Sequence, residues 1–239
     1  MTDGQRERLA RQITLIGEEA TERLIASTVL IAGIGGVGGH AADAIARMGV
    51  GKIILVDNDT VSVSNINRQM VATTETVGRL KVDVMAERIR AINPDCRVIA
   101  LPTFITKENA AELIASSEAD AVVDCIDNVS AKIAMIVACE EQGRYIFSSM
   151  GTGNKLNGGQ LKVADIYSTS GCALARVMRR ELKMRGVKKL PVVFSEESRP
   201  AEGQRVPATI AYMPAIAGLL IAEQVAKKLM GGRGASTPV

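Results

Sequence analysis

Between Val29 and Asp57 the chain runs strand, glycine loop, helix, strand and acid, an order that points to a parallel α/β sheet. Val29-Leu30-Ile31-Ala32 is a short, continuous apolar run of the kind that a strand buried on both faces requires. In Gly33-Ile34-Gly35-Gly36-Val37-Gly38, Gly33 and Gly35 supply a tight turn that brings backbone N–H groups against a phosphate, with Gly36 beside them. Gly38 lets the following helix pack closely on the sheet. Ile53-Ile54-Leu55-Val56 reads as the next strand, and Asp57 at its carboxyl end lies about 20 residues past the glycines, where a carboxylate accepts hydrogen bonds from ribose hydroxyls.

Many nucleotide-binding chains share that pattern, so the residues after Asp57 decide more. A hydride-transfer enzyme leaves its chemistry to the nicotinamide and has little need of further charged groups beside the phosphates. Here Asp59, Asn65, Arg68, Gln69 and Lys81 follow, and a second strand, Ala121-Val122-Val123, ends in Asp124-Cys125-Ile126-Asp127-Asn128 at the same sheet edge. Attack on a phosphate concentrates negative charge on its oxygens and on departing pyrophosphate, and magnesium with Arg and Lys lowers that barrier. The chain holds no Gly-x-x-x-x-Gly-Lys-Ser/Thr loop, so Arg68 and Lys81 are the candidate cations, and Asp59 and Asp127 the candidate magnesium ligands.

These residues carry a family resemblance. Arg11-Gln12, Gly33 to Gly38, the string Asp57-Asn58-Asp59-Thr60-Val61-Ser62-Val63-Ser64-Asn65-Ile66-Asn67-Arg68-Gln69, Val77-Gly78 with Lys81, and Asp127-Asn128 resemble the ubiquitin-activating-enzyme-like adenylyltransferases. The resemblance implies that Asp57 holds the ribose of ATP, Asn65, Arg68 and Lys81 its phosphates, and Asp59 and Asp127 a Mg2+ ion. It makes Arg11 an arginine finger supplied by the other subunit of a homodimer. Relatives that adenylate sulfur-carrier proteins usually bear two Cys-x-x-Cys pairs for structural zinc. Cys96, Cys125, Cys139 and Cys172 stand far apart and cannot form them.

Ile92-Asn93-Pro94-Asp95-Cys96-Arg97-Val98, Lys162 to Ile166, the Leu174 to Leu182 run and Val193-Phe194-Ser195-Glu196-Glu197 are instead similar to the tRNA threonylcarbamoyladenosine dehydratase branch. The implied reaction is ATP-dependent cyclisation of a modified adenosine in tRNA, through an acyl-adenylate. The alternative is the same activation of a small protein's C-terminal Gly-Gly, with a ubiquitin-like or sulfur-transfer protein as partner. Net charge is only +3, but Arg176, Arg179, Arg180 and Lys183 are spaced to share one helical face that can track tRNA phosphates. Cys172 is read as a residue at a helix start rather than a nucleophile, and His40 as a solvated or packing residue.

At 239 residues and 47% hydrophobic, the chain supports one α/β domain with a Rossmann-like parallel-core sheet and helices on both faces, divided into an ATP-binding half, 1–150, and a less regular substrate and dimer half, 151–239. Arg6 to Leu24 is expected as one or two helices with Arg11 on the first, and Val77 to Ile92 as an amphipathic helix. Helices are expected over Glu108 to Ser117, Val129 to Gln142 and Cys172 to Lys183, and strands over Arg97 to Leu101, Asp120 to Asp124, Arg144 to Ser149, Gln160 to Asp165 and Pro191 to Ser195. The polar segment Glu196 to Pro207 is expected to be a mobile loop. The apolar stretch Ala208 to Ala222 is short for a membrane span and contains Pro214, so it reads as a buried or dimer-facing helix. A polar N-terminus without an apolar leader and unpaired cysteines suggest the cytoplasm.

Overall fold

The computed structural model describes residues 1–197 and 207–231. Three short helices, α1 (Asp3–Arg8), α2 (Ala10–Ile16) and α3 (Glu18–Ala26), lead into β1 (Thr28–Ala32), α4 (Gly36–Arg47) and β2 (Lys52–Val56). Then come α5 (Lys81–Ile92), β3 (Arg97–Leu101), α6 (Ala110–Ser117), β4 (Ala121–Asp124), α7 (Val129–Glu141) and β5 (Ile146–Ser149). β6 (Leu161–Asp165), α8 (Ala173–Met184), β7 (Pro191–Ser195) and α9 (Tyr212–Met230) complete the order.

The strands form one seven-stranded sheet in the order β3-β2-β1-β4-β5-β7-β6, parallel except for the antiparallel β6–β7 pair at one edge. Side chains alternate across each strand, which divides the core in two. Val29, Ile31, Ile53, Leu55 and Val123 face α4, α5 and α9, whereas Leu30, Ala32, Ile54, Val56 and Val122 face α6, α7 and α8. Helices thus cover both faces, as the sequence predicts. α9 lies against α4 so closely that a Cβ on Gly218 would sit 2.5 Å from the Val37 carbonyl oxygen. The apolar run is therefore a core helix, and no helix among the described residues is long and apolar enough to cross a membrane.

Two differences from expectation go beyond a shift of one or two residues at an element's end. The N-terminal segment is three helices rather than one or two, because the chain turns at Leu9 and again at Gly17, whose φ is +84°; Arg11 consequently lies on the second helix. The helix expected from Val77 begins at Lys81. Val77 to Leu80 is drawn into pairing with the preceding loop, through Gly78 N to Val61 O at 2.8 Å, Val61 N to Arg79 O at 2.8 Å and a bridge between Thr60 and Leu80. Of the loop expected at Glu196 to Pro207, 198–206 lie outside the described residues.

Candidate active site

Loops at the carboxyl ends of β1, β2, β3, β4 and β5 border a cleft of about 530 Å³. Its floor is the glycine loop. Gly33 has φ +87°, and a Cβ there would lie 2.6 Å from the Cys125 carbonyl oxygen; one on Gly38 would lie 1.8 Å from the Gly33 carbonyl oxygen. Only glycine closes this turn. Gly35 precedes α4 without a side-chain cap, so the first N–H groups of the helix and its positive dipole end are left for an anion.

Asp57 fixes the loop from the neighbouring strand. Its Oδ2 accepts from Ile34 N at 2.7 Å and its Oδ1 from Asp59 N at 2.8 Å, with further lone pairs left for ribose hydroxyls. Asp59 Oδ2 pairs with Lys81 Nζ at 2.7 Å. The two partners differ in setting: the Lys81 side chain is 7% exposed and the Asp59 side chain 61%. A buried cation is thereby aimed into the cleft through a carboxylate that water already reaches.

Arg68 is half-buried, held by Nη1 donating to Ser64 O at 2.8 Å and to Asn67 Oδ1 at 3.0 Å. Gln69 beside it is buried, and its Oε1 has no partner among the described residues. Its Nε2 lies toward Gly35, and its Oε1 is left to accept from a donor that a ligand or water brings. Asn65 lies outside the cleft lining; its Oδ1 accepts from Ser62 N at 3.1 Å and so caps the turn that carries Arg68. His40, half-buried on α4, is held below the usual imidazole range chiefly by burial, and its neighbours include the Arg68 backbone.

On the opposite wall, Asp127 is exposed, lines the cleft and has no hydrogen-bonding or ionic partner among the described residues. Asn128 also lines it and caps α7, accepting from Ala131 N at 3.0 Å. No group of three or more His, Cys, Asp or Glu side chains is arranged to hold a metal among the described residues. Burial, with Asp124 nearby, pushes the Cys125 thiol up out of the nucleophilic range. Cys172 is buried at the N-terminus of α8, makes no capping bond and lies outside the cleft lining.

Beneath this wall is a network that the sequence did not reveal. Lys132 and Asp124 are both fully buried and pair at 2.7 Å; Lys132 Nζ also donates to Ser149 O at 3.0 Å, and Ser148 Oγ donates to Asp124 Oδ2 at 2.5 Å. Asp124 Oδ1 accepts from Ile126 N at 3.1 Å, so the pair sets the loop that bears Asp127. The signal in the sequence is a lysine followed by the apolar run Ile133 to Cys139 in α7. Phe104, at the cleft's far lip, was missed as well.

Two sets of expected residues lie apart from the cleft. Arg11 is exposed on α2, has no partner among the described residues and does not line the cleft of its own chain. On α8, Arg176, Arg180 and Lys183 are exposed, but Arg179 turns back to Thr169, donating to its carbonyl at 2.8 Å, and Arg180 pairs with Glu181. Hydrogen bonds from Arg180 and Arg185 hold the Glu181 carboxyl below its ordinary range. Lys155 is buried and adds nothing to the basic surface, its Nζ donating to Ser195 O at 3.2 Å.

A model of the ThiF family matches residues 9–238. The tRNA threonylcarbamoyladenosine dehydratase of Bacillus subtilis is 38% identical over 239 residues, spanning 92% of this chain and 94% of the relative. The crystal structure of the Escherichia coli tRNA N6-threonylcarbamoyladenosine dehydratase in complex with ATP matches with a TM-score of 0.91 at 34% identity over 99% of both chains. The complex of the same enzyme with AMP gives a TM-score of 0.91 at 34% identity over 96% of each chain.

Proposed function

Because this chain belongs to the ThiF family, we propose that it is an ATP-dependent tRNA threonylcarbamoyladenosine dehydratase, acting through an acyl-adenylate. The observation that carries the reading is that one cleft gathers Asp57, the glycine loop at the N-terminus of α4, Arg68, Lys81 and Asp127. ATP fits that set with its ribose at Asp57 and its phosphates over the glycine loop.

The threonyl carboxylate of the tRNA nucleoside attacks the α-phosphorus, the bond to the β-phosphate oxygen breaks, and pyrophosphate leaves. Lys81 and Arg68 offset the charge gathering on these oxygens, and Gln69 offers them its amide Nε2 as a donor. The carbamoyl group then closes on the activated carbonyl, expelling AMP and releasing a proton, for a net loss of water. No step needs an enzyme nucleophile, in keeping with a thiol at the cleft, Cys125, that its surroundings hold protonated. Asp127, and Asp59 where it is not paired with Lys81, offer oxygen ligands suited to Mg2+, which takes one or two carboxylates and fills its shell with phosphates and water. The ion would supply charge neutralisation at the phosphates.

Arg11, exposed and without a partner among the described residues, suits a homodimer in which α2 of one subunit reaches the cleft of the other. Arg176 and Lys183, exposed on α8, are the face for tRNA phosphates, and the cytoplasm is the compartment where such a substrate is met. Four separate free cysteines leave no zinc cage of the sulfur-carrier type, and no observation favours a Gly-Gly substrate.

Incubation with ATP and tRNA that bears threonylcarbamoyladenosine tests the reading. Nucleoside mass analysis should find the mass of one water lost only when ATP is present. An unchanged nucleoside, with AMP formed instead on a Gly-Gly-ended protein, would overturn it.

A further inference from the structure

The chain contains three phenylalanines and no tryptophan. Phe147 and Phe194 are buried at 0% and 2% exposure, while Phe104 is 52% exposed and lines the cleft between Thr103 and Ile105. Half-exposing a phenyl ring forgoes much of the stabilisation that its burial would bring. Nor is the ring on a fraying loop. Asn109 clamps the segment from both sides, its Nδ2 donating to Phe104 O at 2.9 Å and its Oδ1 accepting from Thr106 N at 2.8 Å, and Thr103 N donates to Leu101 O at 2.8 Å. The fold thus holds an exposed aromatic in a set position at the mouth of a site.

Topology says which part of a ligand meets it. Phe104 follows β3, which flanks β2 on the side away from β1 and β4. A nucleotide with its phosphates on the β1 loop and its ribose at Asp57 after β2 therefore carries its base toward β3, about one strand spacing of ~4.8 Å further on. Thr103 and Ile105, which line the cleft on either side of Phe104 in the chain, bring no charge to that end. Resting on the ATP-dependent reading above, we propose that Phe104 is the stacking platform for the adenine of ATP, and that Asn109 is the positioning residue that presents it. Affinity for the base then comes from the π-face of the ring rather than from charged groups.

Base–aromatic stacking is worth about 1–3 kcal/mol per base. For a half-exposed ring, Phe104→Ala should raise the Kd of ATP about tenfold, measured on the full chain without tRNA. Phe104→Leu keeps apolar bulk without a ring and should remain weak, whereas Phe104→Trp should restore binding. Asn109→Ala should give a smaller rise. In turnover, the KM for ATP should rise while that for tRNA stays, and inhibition by pyrophosphate alone should keep its wild-type strength, because the ring does not meet the phosphates. Unchanged ATP affinity in Phe104→Ala, or a rise in the tRNA KM instead, would overturn the assignment while leaving the proposed function standing. A wild-type chain that does not bind ATP would overturn both.

Discussion

Replacing Lys81 with Met removes one charge and little else. The side chain is 7% exposed, so a methionine of similar length can occupy the same buried volume, and Asp59, 61% exposed, is left facing water rather than stranded. An ammonium about 4 Å from a phosphate oxygen at an effective dielectric of about 20 contributes about 4 kcal/mol. Lys81 already has Asp59 at 2.7 Å, but a pair so open to solvent is worth at most about 1 kcal/mol. About 3 kcal/mol of stabilisation of the developing phosphate charge is therefore lost, which is a rate reduction of roughly 100- to 200-fold. The assay is the initial rate of AMP release from ATP with substrate tRNA, with the melting temperature measured on the same preparation. Slow turnover at a melting temperature within a few degrees of wild type is expected. A near-wild-type rate would refute the electrostatic role of Lys81; a large fall in melting temperature would refute the claim that its pair with Asp59 matters little for folding.

Lys132→Met should do the opposite, destabilising the chain by about 3–5 kcal/mol because Asp124 is left as a buried, uncompensated charge; adding Asp124→Asn should recover part of the loss, and an unchanged urea midpoint would contradict the pairing. If Arg11 acts across a dimer, Arg11→Ala and Lys81→Ala are each inactive, yet mixed subunits regain one complete site. Failure to recover activity after verified subunit exchange would exclude that arrangement. Removing Arg176 and Lys183 together should weaken tRNA binding and reduce the steepness of its salt dependence by about 2 in log–log slope, with ATP affinity unmoved. Removing Arg179 should act chiefly on stability, since it bonds Thr169.

The parts legible in the sequence are those whose chemistry is local. Gly33 and Gly38 must be glycine for steric reasons within a few residues or across one strand, and Asp57 follows from the end of an apolar run, so the loop, the acid and the alternating strands could all be read directly. What escaped depends on contacts between distant segments. The start of α5 moved because Val61 pairs with Gly78 and Arg79, which overrides the helical pattern from Val77. Lys132 looks like a solvated helix charge until β4 and β5 bring Asp124 and the Ser149 carbonyl around it. Phe104 gained meaning only from its exposure at the cleft, and Arg179 left the basic face because Thr169 lies within its reach.

The central claim is that the threonyl carboxylate attacks the α-phosphorus of ATP. Its most direct test is to label that carboxylate with heavy oxygen in the tRNA nucleoside, run the reaction with unlabelled ATP, and follow the label by mass analysis of the products. An acyl-adenylate requires one labelled oxygen in the phosphate of AMP and none in pyrophosphate. Label in inorganic phosphate, with ADP as the nucleotide product, would mean attack at the γ-phosphorus and would contradict the account.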